Sequence, residues 1–342
     1  MGEVLQFINF SQKLHTKYEL LKAIQIKAFG DVNQLYLDDI PTPGFTDNEV
    51  LIKVYSAALN RADLLQRRGL YPPPPGASEI LGLEVSGEVV QTGSRAQKWK
   101  GQPVMSLLSG GGYAEYVAVD QGLVLPIPKN ITMEEGAGIM EAFLTAFQAL
   151  YWLAGIKSGE RVLIHAGASG VGTAAIQLAK STGAEVWVTA SSAKHDFCKQ
   201  LGADHAIDYV EQDFSQVIDS DRINVIMDFV GAPYFQGNLQ SLAMDGRLVM
   251  QGFLGGTKIS SVDLSAILKK RLTITGSTLR SRPLDYRVKL IKEFEMQCWQ
   301  KFCNLDIKPV IDRVFKWEQV VEAHQYMESN QNKGKIILRI AP

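Results

Sequence analysis

Between Gly159 and Gly172 the chain runs Gly159-Glu160-Arg161-Val162-Leu163-Ile164-His165-Ala166-Gly167-Ala168-Ser169-Gly170-Val171-Gly172, an apolar strand entering a glycine-rich turn. No other segment constrains the fold as tightly. Glycines at 167, 170 and 172 let the backbone turn sharply and approach a pyrophosphate with no Cβ in the way. Free N–H groups at the start of the next helix, with the helix dipole behind them, then stabilise the anion. Gly167, Ser169, Gly170, Val171 and Gly172 are therefore the candidate phosphate cradle. A glycine cluster alone also describes a tight structural turn. The strand–turn–helix context inside a βαβ unit favours dinucleotide binding.

Strands and helices alternate beyond this turn. The pattern predicts strands over 161–166, 185–190, 224–230, 246–251 and 272–276, with helices over 170–182 and 193–201 closed by Gly183 and Gly202. Continuous apolar strands between amphipathic helices imply an α/β fold, a doubly wound parallel sheet covered on both faces. An NAD-selective site of this kind usually carries a carboxylate about 20 residues past the glycines. Here the second strand ends Thr189-Ala190-Ser191-Ser192-Ala193-Lys194, with no acid. Ser191, Ser192 and Lys194 would instead accept a 2′-phosphate, a contact worth about 10–150-fold in affinity. The expected cofactor is NADPH. Lys194 has a second reading as a solvated cation at a helix start, a place the helix dipole does not favour.

The region before the parallel sheet has a different character. Short strands and turns run from Ala23 to Val54, with further strands at 84–90, 104–107 and 113–117. Tyr71-Pro72-Pro73-Pro74-Pro75-Gly76 is a stiff extended loop that can be neither helix nor central strand. This loop-rich β pattern is that of a compact barrel-like domain. Near Ile131 it gives way to helix, with Thr132 as N-cap, Glu135 completing a capping box, and helical periodicity over 142–153. The last strand, from Gly334 to Ile340, is expected to rejoin the first domain. Two domains suit a chain of 342 residues, and the formal net charge of -1 argues against nucleic-acid binding through a basic face. Cys198, Cys298 and Cys303 form no CxxC pair, so they read as three free thiols in a reducing cytoplasm. No apolar run is long enough to span a membrane. Residues 1–22 carry no signal-peptide pattern and read as an extension ahead of the first strand.

Several segments together resemble the quinone oxidoreductase branch of the medium-chain dehydrogenase/reductase superfamily. They are Ser56-Ala57-Ala58-Leu59-Asn60-Arg61-Ala62-Asp63, Pro73-Pro74-Pro75-Gly76-Ala77-Ser78, Ile80-Leu81-Gly82-Leu83-Glu84, the glycine turn through Gln177 and Lys180, and 324–337. The resemblance implies a GroES-like, β-barrel-type catalytic domain built from 23–140 and 284–342 around a Rossmann domain at 141–283. It also implies a cleft between them and a homodimer formed by edge-to-edge pairing of the Rossmann sheets. Position by position, it places Asn60 and Thr145 at the nicotinamide end of the cofactor. Tyr209 and Lys194 fall near the adenosine phosphate, and Gly252-Phe253-Leu254 beside the nicotinamide. Asn330 and Asn332 complete the cofactor site.

Zinc-dependent members bind catalytic zinc through Cys, His and Cys, and the matching positions here are Asn60, Leu83 and Glu141. Amide and alkyl groups do not supply that ligand set, and the Cys-rich structural-zinc lobe is missing. The expectation is therefore no metal, and an acceptor that needs no Lewis acid. A quinone is such an acceptor, being already electrophilic. Asn60 and Tyr71 are the nominated catalytic residues, as hydrogen-bond donor and proton source. Tyr71 also reads as a stacking wall for a flat substrate, or as packing. His165 reads as a buried structural histidine before a base, and His324 as surface or packing. Two rival functions stay open: reduction of an activated C=C bond in an alkenal or enoyl thioester, and non-catalytic NADPH binding.

Overall fold

The structure, a computed structural model, describes residues 20–341. Most of the N-terminal extension thus lies outside the described residues, and its last three belong to the first strand. That strand, β1 (Leu20–Ile26), pairs antiparallel with β2 (Leu35–Pro41). A seven-stranded sheet follows, made of β3 (Glu49–Ala58), β4 (Glu84–Thr92), β5 (Pro103–Leu107), β6 (Tyr116–Asp120) and β7 (Val124–Pro126), with two strands returning from late in the chain. The strand expected over 113–117 begins at Tyr116 instead. The preceding Tyr113 and Ala114 are drawn aside to pair with β1, through Ile24 N–H to Tyr113 O and an Ala23–Ala114 bridge.

The second sheet holds β8 (Arg161–Ile164), β9 (Glu185–Ala190), β10 (His205–Asp208), β11 (Ile223–Asp228), β12 (Leu242–Met250) and β13 (Thr273–Gly276). All pairings in it are parallel, in the order β10-β9-β8-β11-β12-β13. This is the doubly wound dinucleotide-binding order, with its switch point between β8 and β11. Val162, Leu163, Ile164, Val225, Ile226 and Met227 are all wholly buried, as a parallel sheet covered on both faces requires.

β14 (Ile311–Lys316) and β15 (Lys335–Arg339) carry the chain back to the first sheet, where β15 pairs antiparallel with β3. The predicted return of the final strand is therefore observed. The Thr132/Glu135 capping box is present in both directions, opening the helix Met133–Ala137. The helix expected over 142–153 is α-helical only over Met140–Phe147 and widens to a π-turn over Gln148–Leu153. Its aromatic face explains where it packs: Phe143 and Phe147 interlock with Phe294 and Phe302 of the 20-residue helix Leu284–Cys303. The helix expected over 193–201 starts as a short 3-10 turn, Ser192–Lys194, before α-helix over His195–Gln200.

Candidate active site

The glycine turn joins β8 to the helix Gly170–Ser181, and each glycine has a steric reason to be there. A Cβ on Gly167 would sit 2.6 Å from Val188 of β9, and one on Gly172 would sit 2.4 Å from Ala166 O. Ala166 itself holds a φ of 52°, the left-handed region, at the sharpest point of the turn. Ser169 caps the helix, its hydroxyl accepting from Gly172 N–H at 3.0 Å. Val171 is half-buried beside it. This cradle fits a pyrophosphate: side-chain-free backbone at a helix N-terminus and close against the sheet.

At the end of β9, Lys194 reaches across to the C-terminal segment. Its ammonium donates to Asn330 O at 2.7 Å and Asn332 O at 2.9 Å. The three residues proposed separately for the cofactor are thus brought together, and Arg61 adds a 2.6 Å bond to Asn330 Oδ1. Burial lowers the Lys194 pKa, with neighbouring Lys333 adding to the effect and Asp312 opposing it. Lys333, which sequence reasoning missed, makes this corner doubly basic. Ser191 stands at the N-cap position of the short turn after β9 without a side-chain capping bond, while Ser192 lies against the Asp208 carboxylate at the end of β10. Asp208 is an acid the sequence pattern did not place here, because it arrives from the next strand. Tyr209 follows it and is 49 % exposed. Replacing Lys194 by methionine is expected to weaken NADPH binding by about 10–100-fold with NADH binding little changed. Fluorescence titration of both nucleotides checks this.

The loop after β12 carries Gly252, Phe253 and Leu254, with Phe253 and Leu254 more than half exposed. It is pinned to the end of β11 by Gln251 N–H to Asp228 O and Leu254 N–H to Phe229 O. Thr145 lies half-buried on the helix Met140–Phe147.

Asn60, two residues past β3 and at the N-cap of the helix Arg61–Arg67, begins a buried polar network. Its amide nitrogen donates to Glu84 Oε1 at 3.1 Å and Ala58 O at 3.3 Å, and its Oδ1 accepts from Lys335 at 2.7 Å. Lys335 also bonds Leu59 O at 2.8 Å and forms a 2.7 Å ion pair with Glu84, the two side chains 5 % and 0 % exposed. The backbone N–H of Asn60 goes to Asp63, which also receives Gly82 N–H; burial pushes the Asp63 carboxyl up to about 6. Both amide hydrogens of Asn60 are therefore engaged within the protein.

Glu141, at a position where zinc-dependent relatives carry a ligand, has the most strongly raised carboxyl among the described acids. Its backbone N–H donates to Glu84 Oε2 at 2.8 Å, while its own Oε2 is out of solvent with no partner. Burial, with Glu84 alongside, pushes its carboxyl up to about 8. Tyr71 feels its charge: its phenol is raised by burial and then by Glu141, with the Arg280 guanidinium 5.4 Å from its ring centre. Asn60, Leu83 and Glu141 do not make a zinc site: a committed amide, an alkyl chain and one neutral carboxyl offer no thiolate or imidazole. Among the described residues, no group of three or more His, Cys, Asp or Glu could hold a metal ion.

The remaining polar residues have structural work. His165 is wholly buried, bonded to Thr189 and Asn238, and flanked edge-on by Phe214 and Tyr234. His324 is buried rather than surface: its Nδ1 lies 3.2 Å from Arg67 and its pKa is pushed down to about 3 by burial and that cation. Cys198 and Cys298 are buried and Cys303 exposed, all as free thiols. No helix among the described residues is long and apolar enough to cross a membrane.

Residues 46–129 match the family model described as "Alcohol dehydrogenase GroES-like domain", and residues 170–295 match "Zinc-binding dehydrogenase". With the cofactor cradle and paired sheets, these define the class: the chain belongs to the medium-chain dehydrogenase/reductase superfamily, in its quinone oxidoreductase branch. It is 30 % identical to the human quinone oxidoreductase over 94 % of this chain and 99 % of that protein. It is 29 % identical to the synaptic vesicle membrane protein VAT-1 homolog of Rattus norvegicus, over 94 % of this chain and 85 % of that one. Among solved structures, the CurK enoyl reductase superposes with a TM-score of 0.83 at 26 % identity, covering 95 % of this chain and 100 % of that chain. The chain is thus an NAD(P)-dependent oxidoreductase by family.

Proposed function

We propose that this chain reduces quinones with NADPH and without zinc. The observation that carries the reading is Glu141, a carboxyl standing at the position of a zinc ligand, held neutral and unpartnered. A neutral acid there supplies what a metal-free site lacks, a proton for the oxygen on which charge develops.

When bound, the dinucleotide supplies the hydride, two electrons and one hydrogen. Gly167 to Gly172 hold its pyrophosphate, and Lys194 with Lys333 its 2′-phosphate. Thr145 and Gly252-Phe253-Leu254 border the nicotinamide. Tyr71 is a flat wall against which a planar acceptor stacks. Glu141 gives the one proton from Oε2, which with the hydride leaves a hydroquinone, and is reprotonated from solvent when the product departs. Asn60 positions Lys335 and Glu84, since its amide is already committed within the protein. Homodimer formation through the outer edge of β13, a cytoplasmic setting and the 23–140/284–342 and 141–283 domain division complete the proposal.

Reduction of an activated C=C bond is the second reading, favoured by the likeness to an enoyl reductase. The same hydride and the same acid serve an enal, so acceptor preference separates the two. The test follows NADPH oxidation with 1,2-naphthoquinone, against NADH and an enal, on chelator-treated protein. Chelator-insensitive quinone turnover with NADPH preference is expected. Turnover with the enal alone would replace the quinone reading by the alkene one, and silence with every acceptor would overturn both.

A further inference from the structure

Two arginines beside this cleft are more deeply placed than their charge warrants. Arg280, 4 % exposed, donates from Nε to Ser109 O at 2.8 Å and from Nη2 to Gln66 Oε1 at 2.7 Å. Arg287, one helical turn into Leu284–Cys303, donates from Nη1 to Ser109 Oγ at 2.7 Å. Ser109 thus holds both guanidinium groups at one spot. Each keeps a buried N–H with no partner, Nη1 of Arg280 and Nε of Arg287. Neither forms a salt bridge among the described residues. Burial lowers the pKa of both; Asp63 and then Glu141 oppose this at Arg280, and Glu141 and Asp120 at Arg287, but none of these acids is bonded to either guanidinium.

A buried cation, Arg280, beside a half-buried one, Arg287, with no bonded carboxylate is costly unless an anion joins them. On one side Arg280 lies over Tyr71; on the other both arginines line a cavity of about 620 Å³ that runs beneath the proline loop at Pro74 and Ser78. Tyr71 does not line that cavity; the Arg280 guanidinium is common to both, lying over the Tyr71 ring and lining the cavity with Arg287, where a group carried by an acceptor on Tyr71 would meet it. Guanidinium forks match the oxygens of a carboxylate or phosphate.

We propose that Arg280 and Arg287 form a subsite for an anionic oxygen group, a carboxylate or a phosphate, carried by the acceptor whose reducible part lies between Tyr71 and Glu141. The inference deepens the reductase reading and rests on it for the acceptor's orientation. Acceptors with a free acid or phosphate tail are then preferred over neutral ones of the same ring.

The test uses non-reducible ligands, so that binding is read apart from turnover. Calorimetry on the NADPH-saturated protein compares 2-naphthoate, 2-naphthyl phosphate and neutral 2-naphthol. At least one anion is expected to bind about tenfold or more tightly than 2-naphthol, and the stronger of the two tells carboxylate from phosphate. In Arg287→Met the preference is expected to fall to within about twofold. Arg287→Lys, a point charge without the fork, should keep part of it. Equal binding of all three ligands by the wild type, or an anion preference unchanged in both variants, overturns the subsite. Because the wild-type comparison stands alone, a variant that fails to fold does not blunt the test. Quinone turnover without anion preference would remove the subsite and leave the reductase reading. Anion-selective binding with no turnover of any acceptor would do the reverse.

Discussion

Replacing Lys335 by methionine is expected to destabilise the protein by about 3–5 kcal/mol, seen as a lower urea midpoint. The ammonium has three acceptors, Leu59 O, Asn60 Oδ1 and Glu84 Oε1, all within 2.8 Å. Removing it leaves the Glu84 carboxylate charged at a position with no exposed side-chain surface. The cost lies in that stranded charge more than in the lost bonds. Glu84→Leu combined with Lys335→Met should therefore recover most of the loss, a coupling that a double-mutant cycle measures. A single-variant midpoint equal to that of the wild type would mean that the ion pair contributes nothing.

Glu141→Gln is expected to lower kcat with a quinone by about 100–1,000-fold, the usual contribution of a positioned general acid. The wild-type kcat should be flat below the carboxyl's pKa of about 8 and fall as pH rises through it. The glutamine variant should show no such limb. Stability gives an independent readout with a definite sign. The folded-state pKa is raised from 4.5, so the stability this carboxyl contributes is fully present below 4.5 and is lost as pH climbs towards 8. Glutamine stays neutral, so thermal melts of the variant should gain on those of the wild type across that window. A wild-type rate that does not fall above pH 8 would remove Glu141 from the proton path.

The parallel sheet was legible in the sequence because its signals are local. Glycines at 167, 170 and 172 between an apolar strand and a helix have few other meanings, and the strand 185–190 was read to the residue. Thr132 and Glu135 marked a helix start for the same reason. What escaped came from contacts between distant segments. Nothing local to Glu141 announces a raised pKa; that needs Glu84, 57 residues away, and burial. Nothing local to Arg280 and Arg287 joins them; Ser109, more than 170 residues earlier, gathers them. Asn60 was found by position but misjudged in freedom, since its partner Lys335 lies 275 residues on. His324 reads as surface or packing in its helix and is buried because Arg67, from the helix Arg61–Arg67, and Tyr113, from the loop before β6, meet it.

The return of β15 to the first sheet also sets an order of events during synthesis. Lys335 and Leu59 are 276 residues apart, and the whole parallel sheet is translated between them. A nascent chain that has already emerged through β13 still carries Glu84 without its cation and β3 without its β15 neighbour. The GroES-like half must therefore wait, partly built, while the later half folds beside it. Such long-range closure makes for slow maturation and for an interval in which an exposed strand edge is open to chaperones or to mispairing. The nucleotide corner closes at the same late step, because Lys194 finds Asn330 and Asn332, and Ser169 its bridge to Gly334, only when this last segment arrives.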